Sequence, residues 1–248
     1  SGLKGTAQTM DVCPESMSIS LPVEASHTFA VPSLPAVAMR VLEILRDPDA
    51  GMKEAAAVLE QDPVLAARAL RQATSAAFAG ATKKVTLQEA LARLGTKALK
   101  GLLVEASAQK LFVSRNPQIN EQLKTVWEHS VAVGSLARDV LALTGAQDSD
   151  SGYLAGLLHD VGKPIVASVL LEVERQLTET AQRNWVDSGE WLEVVGRTPR
   201  PVGVALAERW QLPPAIAVSI RDAGEFDKSD RQSLANAVCF ANGRSKQA

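Results

Sequence analysis

From Pro32 onward, apolar residues recur at three- and four-residue intervals, broken by short polar punctuation. In "VPSLPAVAMRVLEILRDPDA", Val37, Val41 and Leu45 fall every four positions, with Leu34, Ala38 and Leu42 beside them. That is one wide apolar helix face, and Asp47-Pro48 stops it because proline disfavours helical geometry in the residue before it. "MKEAAAVLEQ" follows with high helix propensity. In "QDPVLAARALRQA", Asp62 is placed to cap and Pro63 to occupy the first helical position, where its missing N–H costs little. The apolar face there is Leu65, Ala66, Ala69, Leu70 and Ala73. "TLQEALARLG" carries a capping box, Thr86 to Glu89, and ends on Gly95, which can turn out of a helix. In "TKALKGLLVEASAQKLF", Leu99, Leu102, Leu103 and Ala106 keep helical spacing.

Asn116-Pro117 reads as a break, with a lobe boundary between about residues 113 and 120. Beyond it, "EQLKTVWEHSVAVGSLARDVLALTG" predicts a long helix closed by Gly145, and "DSGYLAGLLHDVG" a short one closed by Gly162. Further helices are expected behind Pro164 and in "PVGVALAERW", "PPAIAVSIRDA" and "DRQSLANAVCFANG". No sustained period-two run rich in β-branched and aromatic residues is found. The pattern predicts an all-α protein of roughly ten or more helices in two lobes. Residues 1–30 read as an irregular lead-in, 31–115 as an N-terminal helical lobe and 116–248 as a second helical lobe.

Composition narrows the function more than the fold. Of 248 residues, 46% are hydrophobic and 22% charged, and the formal net charge is −2. Such a balance gives no general electrostatic surface for nucleic acid. The modest basic cluster at Thr82–Lys84 and in "TKALK" reads as a solvated face. Two widely separated cysteines, Cys13 and Cys239, give neither a disulfide framework nor a thiolate zinc site. Charges interrupt the apolar stretches, so no membrane span is expected, and no basic-then-apolar leader is visible; a cytoplasmic location is the expectation. Phosphate loops of the GxxxxGK[ST] or GxGxxG type and a GxSxG nucleophile elbow are absent from the sequence. Trp127 and Trp210 lie on helical patterns and are expected in the core, whereas Trp185 and Trp191 fall in an aperiodic stretch that suits either packing or a partner surface.

The one constellation with chemistry in it is "LLHDVGKP", residues 157–164. His159 and Asp160 are an imidazole and a carboxylate side by side, and two adjacent donors cannot close a metal shell alone. With only three histidines in the chain, a further nitrogen donor has to be His27, in the lead-in, or His129, inside the preceding long helix. A helical hairpin would carry His129 back alongside His159. The same residues can equally cap, hydrogen-bond and pack without metal, and Lys163 can sit at a helix end facing solvent.

"WEHSVAVGSLA", "GYLAGLLHDVGKPIV" and "VGVALAERWQLPPAIAVSIRDAG" together resemble the HD-type fold of metal-dependent phosphohydrolases. The stronger resemblance is to its regulatory relative, the HDOD family, through the "VPSLP" opening, the "QDPVLAARALRQA" block, "VTLQEALARLGTKALKGLLVEASAQKLF" and the Trp210–Pro213 "WQLP" turn. It runs from about Pro32 to about Asn242. It implies an N-terminal helical lobe packed on an HD-like lobe. It also implies His129, His159 and Asp160 as counterparts of the metal ligands, and Lys163 as the basic residue that follows them and would steady a phosphate. The departures all remove ligands. Asn242 stands where related chains have a final aspartate, Pro199 lies near a position where some have histidine, and "RDAG" replaces a His-His pair. A neutral amide oxygen holds a divalent cation more weakly than a carboxylate. No cofactor is therefore expected, with room left for a single divalent metal on His129, His159, Asp160 and Asn242.

Two functions of different class follow. The first is a non-catalytic bacterial-type regulatory module that binds a signalling protein or a nucleotide, with partners drawn from response-regulator or cyclic-dinucleotide pathways. The second is a weak metal-dependent phosphohydrolase acting on a nucleotide or phosphodiester. A merely structural role is disfavoured by the lack of a heptad seam, although a homodimer through residues 184–201 stays open. Neither membrane nor nucleic acid is an expected partner.

Overall fold

The computed structural model describes residues 31–47, 51–75, 85–146, 148–181, 195–196, 199–230 and 232–245. Among them every regular element is a helix. In chain order these are α1 (Ala36–Ile44), α2 (Met52–Leu59), α3 (Pro63–Ala73), α4 (Leu87–Gln109) with a 3-10 turn at Lys110–Phe112, α5 (Pro117–Leu143), α6 (Ser149–Leu158), α7 (Gly162–Ala181), α8 (Pro199–Arg209), α9 (Pro214–Asp222) and α10 (Leu234–Ser245). Trp185, Trp191, His27, residues 82–84 and most of the 184–201 segment lie outside the described residues.

Local chemistry explains the boundaries. The Asp62 carboxylate accepts from the backbone N–H groups of Val64 and Leu65, with Pro63 opening α3. The Thr86 hydroxyl accepts from Glu89 N–H while Glu89 reaches back to Thr86 N–H, so two otherwise orphaned donors are satisfied at the start of α4. Asn116-Pro117 is a helix start rather than a simple break: the Asn116 side chain accepts from Gln118 and Ile119 N–H. At Gly95 the backbone takes φ 74 and ψ 164, a combination essentially restricted to glycine, and α4 kinks there before resuming at once. Gly145 closes α5, with Ala146 N–H bonding Leu141 C=O and Gly145 N–H bonding Ala142 C=O.

One expected boundary is corrected. Gly162 does not close α6; His159 caps it, and Gly162 is the first residue of α7. The chain turns between the helices on Val161 N–H to Leu158 C=O and Lys163 N–H to Asp160 C=O bonds, tight i→i+3 bonds that need no left-handed residue. By length and apolar composition, Ser149–Arg175 would pass for a membrane span, but this turn divides it and 61% of its apolar window is buried inside the protein.

Apolar burial forms two clusters. One gathers α1–α4 around residues such as Val41, Leu59, Leu65, Leu91 and Leu103. The other gathers α5–α10 with the end of α4, around Val133, Leu141, Leu158, Leu206, Trp210 and Ile220. Trp127 packs against Phe112 with ring centroids 5.2 Å apart. Both expected core tryptophans therefore sit in or against the second cluster, Trp210 only 3% exposed.

The Trp210–Pro213 turn joins two of the sequence motifs. The Trp210 indole N–H donates to the Pro32 carbonyl at 2.9 Å, pinning the start of the N-terminal segment onto the second lobe. Gln211 takes φ 52, where Leu212 N–H bonds Ala207 C=O and Gln211 N–H bonds Glu208 C=O. This is the helix-ending pattern that favours glycine, filled here by a residue that bears the left-handed strain. Gln211→Gly is expected to raise stability by up to about 1 kcal/mol in chemical denaturation, the relief of strain exceeding the added freedom of the unfolded chain.

Candidate functional site

Four helices deliver the candidate residues to one place. His129 projects from the middle of α5, His159 caps α6, Asp160 sits in the following turn, Lys163 is in the first turn of α7 and Asn242 lies near the end of α10. What brings the first two together is a close crossing of α5 and α6. A Cβ on Gly156 would lie 2.6 Å from Gly134 Cα, and one on Gly134 would lie 2.7 Å from Tyr153 O, so only glycine allows these backbones to approach. The result is a His129–His159 centroid distance of 5.3 Å. A donor atom from each of His129, His159 and Asp160 lies within 4.8 Å of the others.

The hydrogen bonds set the tautomers. His159 is 3% exposed, and its Nδ1 meets Gly156 C=O at 2.7 Å, which places a proton on Nδ1. In the neutral ring Nε2 then carries a lone pair; it is buried without a hydrogen-bond partner, 3.3 Å from Asp160 Oδ2. Two electron-rich atoms so close invite a cation between them. On Asp160 Oδ2 the cation already present is the Lys163 ammonium, at 2.5 Å. His129 faces α10, with Nε2 3.2 Å from Asn242 Oδ1 and Nδ1 3.1 Å from Ser245 Oγ. With the amide oxygen toward the ring, Nε2–H donates to Asn242 and the Ser245 hydroxyl donates to Nδ1. A metal at His129 Nε2 requires the other tautomer, with Nδ1–H donating to Ser245. The serine hydroxyl can serve either arrangement.

Burial pushes the Asp160 carboxyl up, but the His159 ring, when its Nε2 carries a proton, and the ammonium of Lys163 outweigh that and hold it far below the usual carboxylate range. Burial lowers His129, so its ring favours the neutral form. Because the folded Asp160 carboxyl titrates below its unfolded counterpart, its contribution to stability is present above the ordinary carboxylate range and is lost as pH falls through and below it. Asp160→Asn is expected to flatten the acid limb of the stability–pH profile, measured by denaturation at successive pH values.

The donors suit one face of a metal shell. His159 Nε2 is a buried, unbonded lone pair whose other ring nitrogen is held by a backbone carbonyl, the usual support for a ligating imidazole. His129, Asp160 and the amide oxygen of Asn242 would supply the remaining protein ligands. A divalent ion held there would make a bound water a stronger nucleophile. Against this, the only carboxylate of the set is shared with an ammonium. At two positions where the family resemblance implies histidines in some relatives, Pro199 begins α8 and Arg221 pairs with Asp222 at 2.8 Å.

Sequence reasoning had named His129, His159, Asp160, Lys163 and Asn242 but missed Ser245 and the glycines of the crossing. Ser245 lies three residues beyond Asn242 on the same helix face, and Gly152 and Gly156 lie four apart on α6; these spacings were the available signals.

An all-α, HD-like helical fold that gathers His129, His159, Asp160 and Asn242 is thereby defined. The HDOD domain family matches residues 31–226, and the chain belongs to that family. A Treponema pallidum protein without an assigned function is 28% identical over 219 residues, covering 86% of this chain and 41% of that protein. The chain thus spans less than half the length of that relative. A Geobacter sulfurreducens HDOD domain protein of unknown function superposes with TM-score 0.62 at 26% identity, over 90% of this chain and 76% of that one. A Shewanella amazonensis structure, provisionally named a metal-dependent phosphohydrolase, superposes with TM-score 0.68 at 23% identity, over 90% and 81% of the two chains. At that identity the likeness speaks for the fold alone.

Proposed function

We propose that this chain is a non-catalytic regulatory module of bacterial-type signal transduction, acting by binding a signalling protein through its helical surface. The observation that carries this reading is the state of Asp160, the one carboxylate of the candidate metal-holding group among the described residues. Asp160 is neutralised by Lys163 at 2.5 Å, and the position that would supply a second carboxylate is Asn242, already bonded to His129. An ammonium beside the would-be metal opposes a divalent cation, and one neutral amide compensates little. With metal chemistry disfavoured, the well-packed helices of the two lobes serve recognition, and helix shifts are the means by which such a body passes on a signal.

The orphan Nε2 of His159 favours a second reading, a weak metal-dependent phosphohydrolase with Lys163 steadying a phosphate. Metal analysis of the purified chain separates the two. The regulatory reading expects no stoichiometric divalent ion in the wild type, and measurable manganese or nickel binding by calorimetry once Asn242→Asp restores a second carboxylate. One ion per wild-type chain, with phosphodiester turnover abolished in Asp160→Ala, would establish the enzyme instead.

A further inference from the structure

A cavity of about 780 Å³ lies where the two lobes meet, away from the His-Asp turn. Its walls come from α4, α5, α6 and the Trp210–Pro213 turn, with Leu42 and Arg46 at the end of α1 and Gln72 of α3. A volume of this size suits a small organic ligand. A smaller hollow of about 240 Å³ adjoins it, sharing Leu42, Arg46, Trp210 and Gln211.

The charges in the large cavity are unequally engaged. Lys97 holds Asp148 at 2.6 Å and Asp150 at 3.3 Å, so these carboxylates are already balanced by a cation and the N-terminal end of α6. Burial and the neighbouring Glu105 carboxylate push the Tyr153 hydroxyl up, so it stays protonated, and the Arg138 guanidinium lies over the Tyr153 ring at 5.7 Å. Arg46 and Lys100 also line the cavity, and among the described residues neither has an ion-pair partner. Arg46 is exposed and Lys100 half-buried. Around them the wall is apolar and aromatic, with Leu102, Leu154, Tyr153 and Trp210.

We infer that the inter-lobe cavity binds a small aromatic anion, its flat body against Tyr153 and Leu154 and its charged group on Arg46 and Lys100. Aromatic carboxylates and nucleoside monophosphates share this chemistry. The location gives such binding a consequence. Tyr153 and Leu154 on α6 line the cavity, and the same helix ends at His159, five residues beyond Leu154. The glycine crossing with α5 ties the two helices backbone to backbone. A ligand that spreads the lobes or draws them together therefore bears on the helix that positions the His-Asp turn. The inference rests on the regulatory reading and names the class of signal it would receive.

The test is a titration of the full chain, followed by backbone amide resonances and the Trp210 indole resonance. The probes are 2-naphthoate and guanosine 5′-monophosphate, each beside its uncharged counterpart, 2-naphthol and guanosine. At least one anion is expected to bind one per chain at millimolar concentration or below, shifting Lys100, Tyr153 and Trp210, with its neutral counterpart at least about tenfold weaker. Which anion binds separates the carboxylate source from the phosphate source. Arg46→Glu with Lys100→Glu is expected to weaken binding by at least about tenfold. Lys100→Arg, which keeps the charge, and Lys110→Glu, on the exposed surface, are expected to leave it in place. The inference is overturned if neither anion shifts these resonances, if the neutral compounds bind as well, or if the double variant, folded by circular dichroism, binds unchanged. Partner capture that persists without any anion binding removes the cavity ligand and leaves the regulatory reading standing. Stoichiometric metal with turnover removes that reading while the titration still reports on the cavity.

Discussion

Gly156→Ala is expected to lower the unfolding free energy by about 3 kcal/mol, the upper end of the usual cost of overpacking. The added Cβ would meet Gly134 Cα at 2.6 Å, Gly134 N at 2.7 Å and Val133 C at 2.9 Å. All three are backbone atoms, so no side chain can rotate aside, and α5 and α6 must part along their whole crossing. Gly101→Ala supplies the contrast: it lies within the same fold, in helical α4, where a Cβ would meet nothing within 4 Å. That substitution is expected to stabilise by about 0.5–1 kcal/mol through helix propensity. Urea denaturation of the two variants checks both signs. Because the crossing sets the His129–His159 spacing, Gly156→Ala should also move the imidazole resonances of both histidines, whereas Gly101→Ala should not. Equal stability of Gly156→Ala and wild type would show that the helices are not held at this distance.

Trp210→Ala is expected to cost about 3–5 kcal/mol, the range for truncating a large buried aromatic side chain. The ring is 3% exposed in the second apolar cluster, and its N–H carries the bond to Pro32 that ties the N-terminal segment down. Trp210→Phe keeps much of the packing but removes the donor, leaving the Pro32 carbonyl to find another; it is expected to cost about 1–3 kcal/mol. The difference between the two, measured by thermal or urea unfolding, apportions volume against hydrogen bond. A Phe variant as unstable as the Ala variant would mean that the pinning of Pro32, rather than ring volume, dominates.

Much of the architecture was legible because it is local. Asp62, and Thr86 with Glu89, satisfy backbone donors two or three residues away, so the residue types and spacings alone identify them. Leu65, Ala69 and Ala73 are buried as their spacing predicts. The end of α6 was misread because a glycine three residues past His159 looks like a helix stop. The protein uses tight i→i+3 turns there, and Gly162 enters the next helix. Gln211 in a left-handed conformation was likewise hidden, since nothing local marks a glutamine for it; the seating of Trp210 and Leu212 in the core imposes it.

The site divides in the same way. His129 could be set beside His159 in advance because a helix and a turn separate them, and a hairpin is a short-range construction. The sequence by itself determined that this protein is helical, through periodicity and capping, and singled out one His-Asp pair by the identity of its donor atoms; that Asn242 stands where related chains have an acid is what the family resemblance implied. Only the tertiary structure decided that Ser245 completes the surroundings of His129, that three glycines let α5 and α6 touch, and that a cavity opens between the lobes. Those features depend on which surfaces meet across long stretches of chain, and helix periodicity tells each face only that it must be buried, never against what.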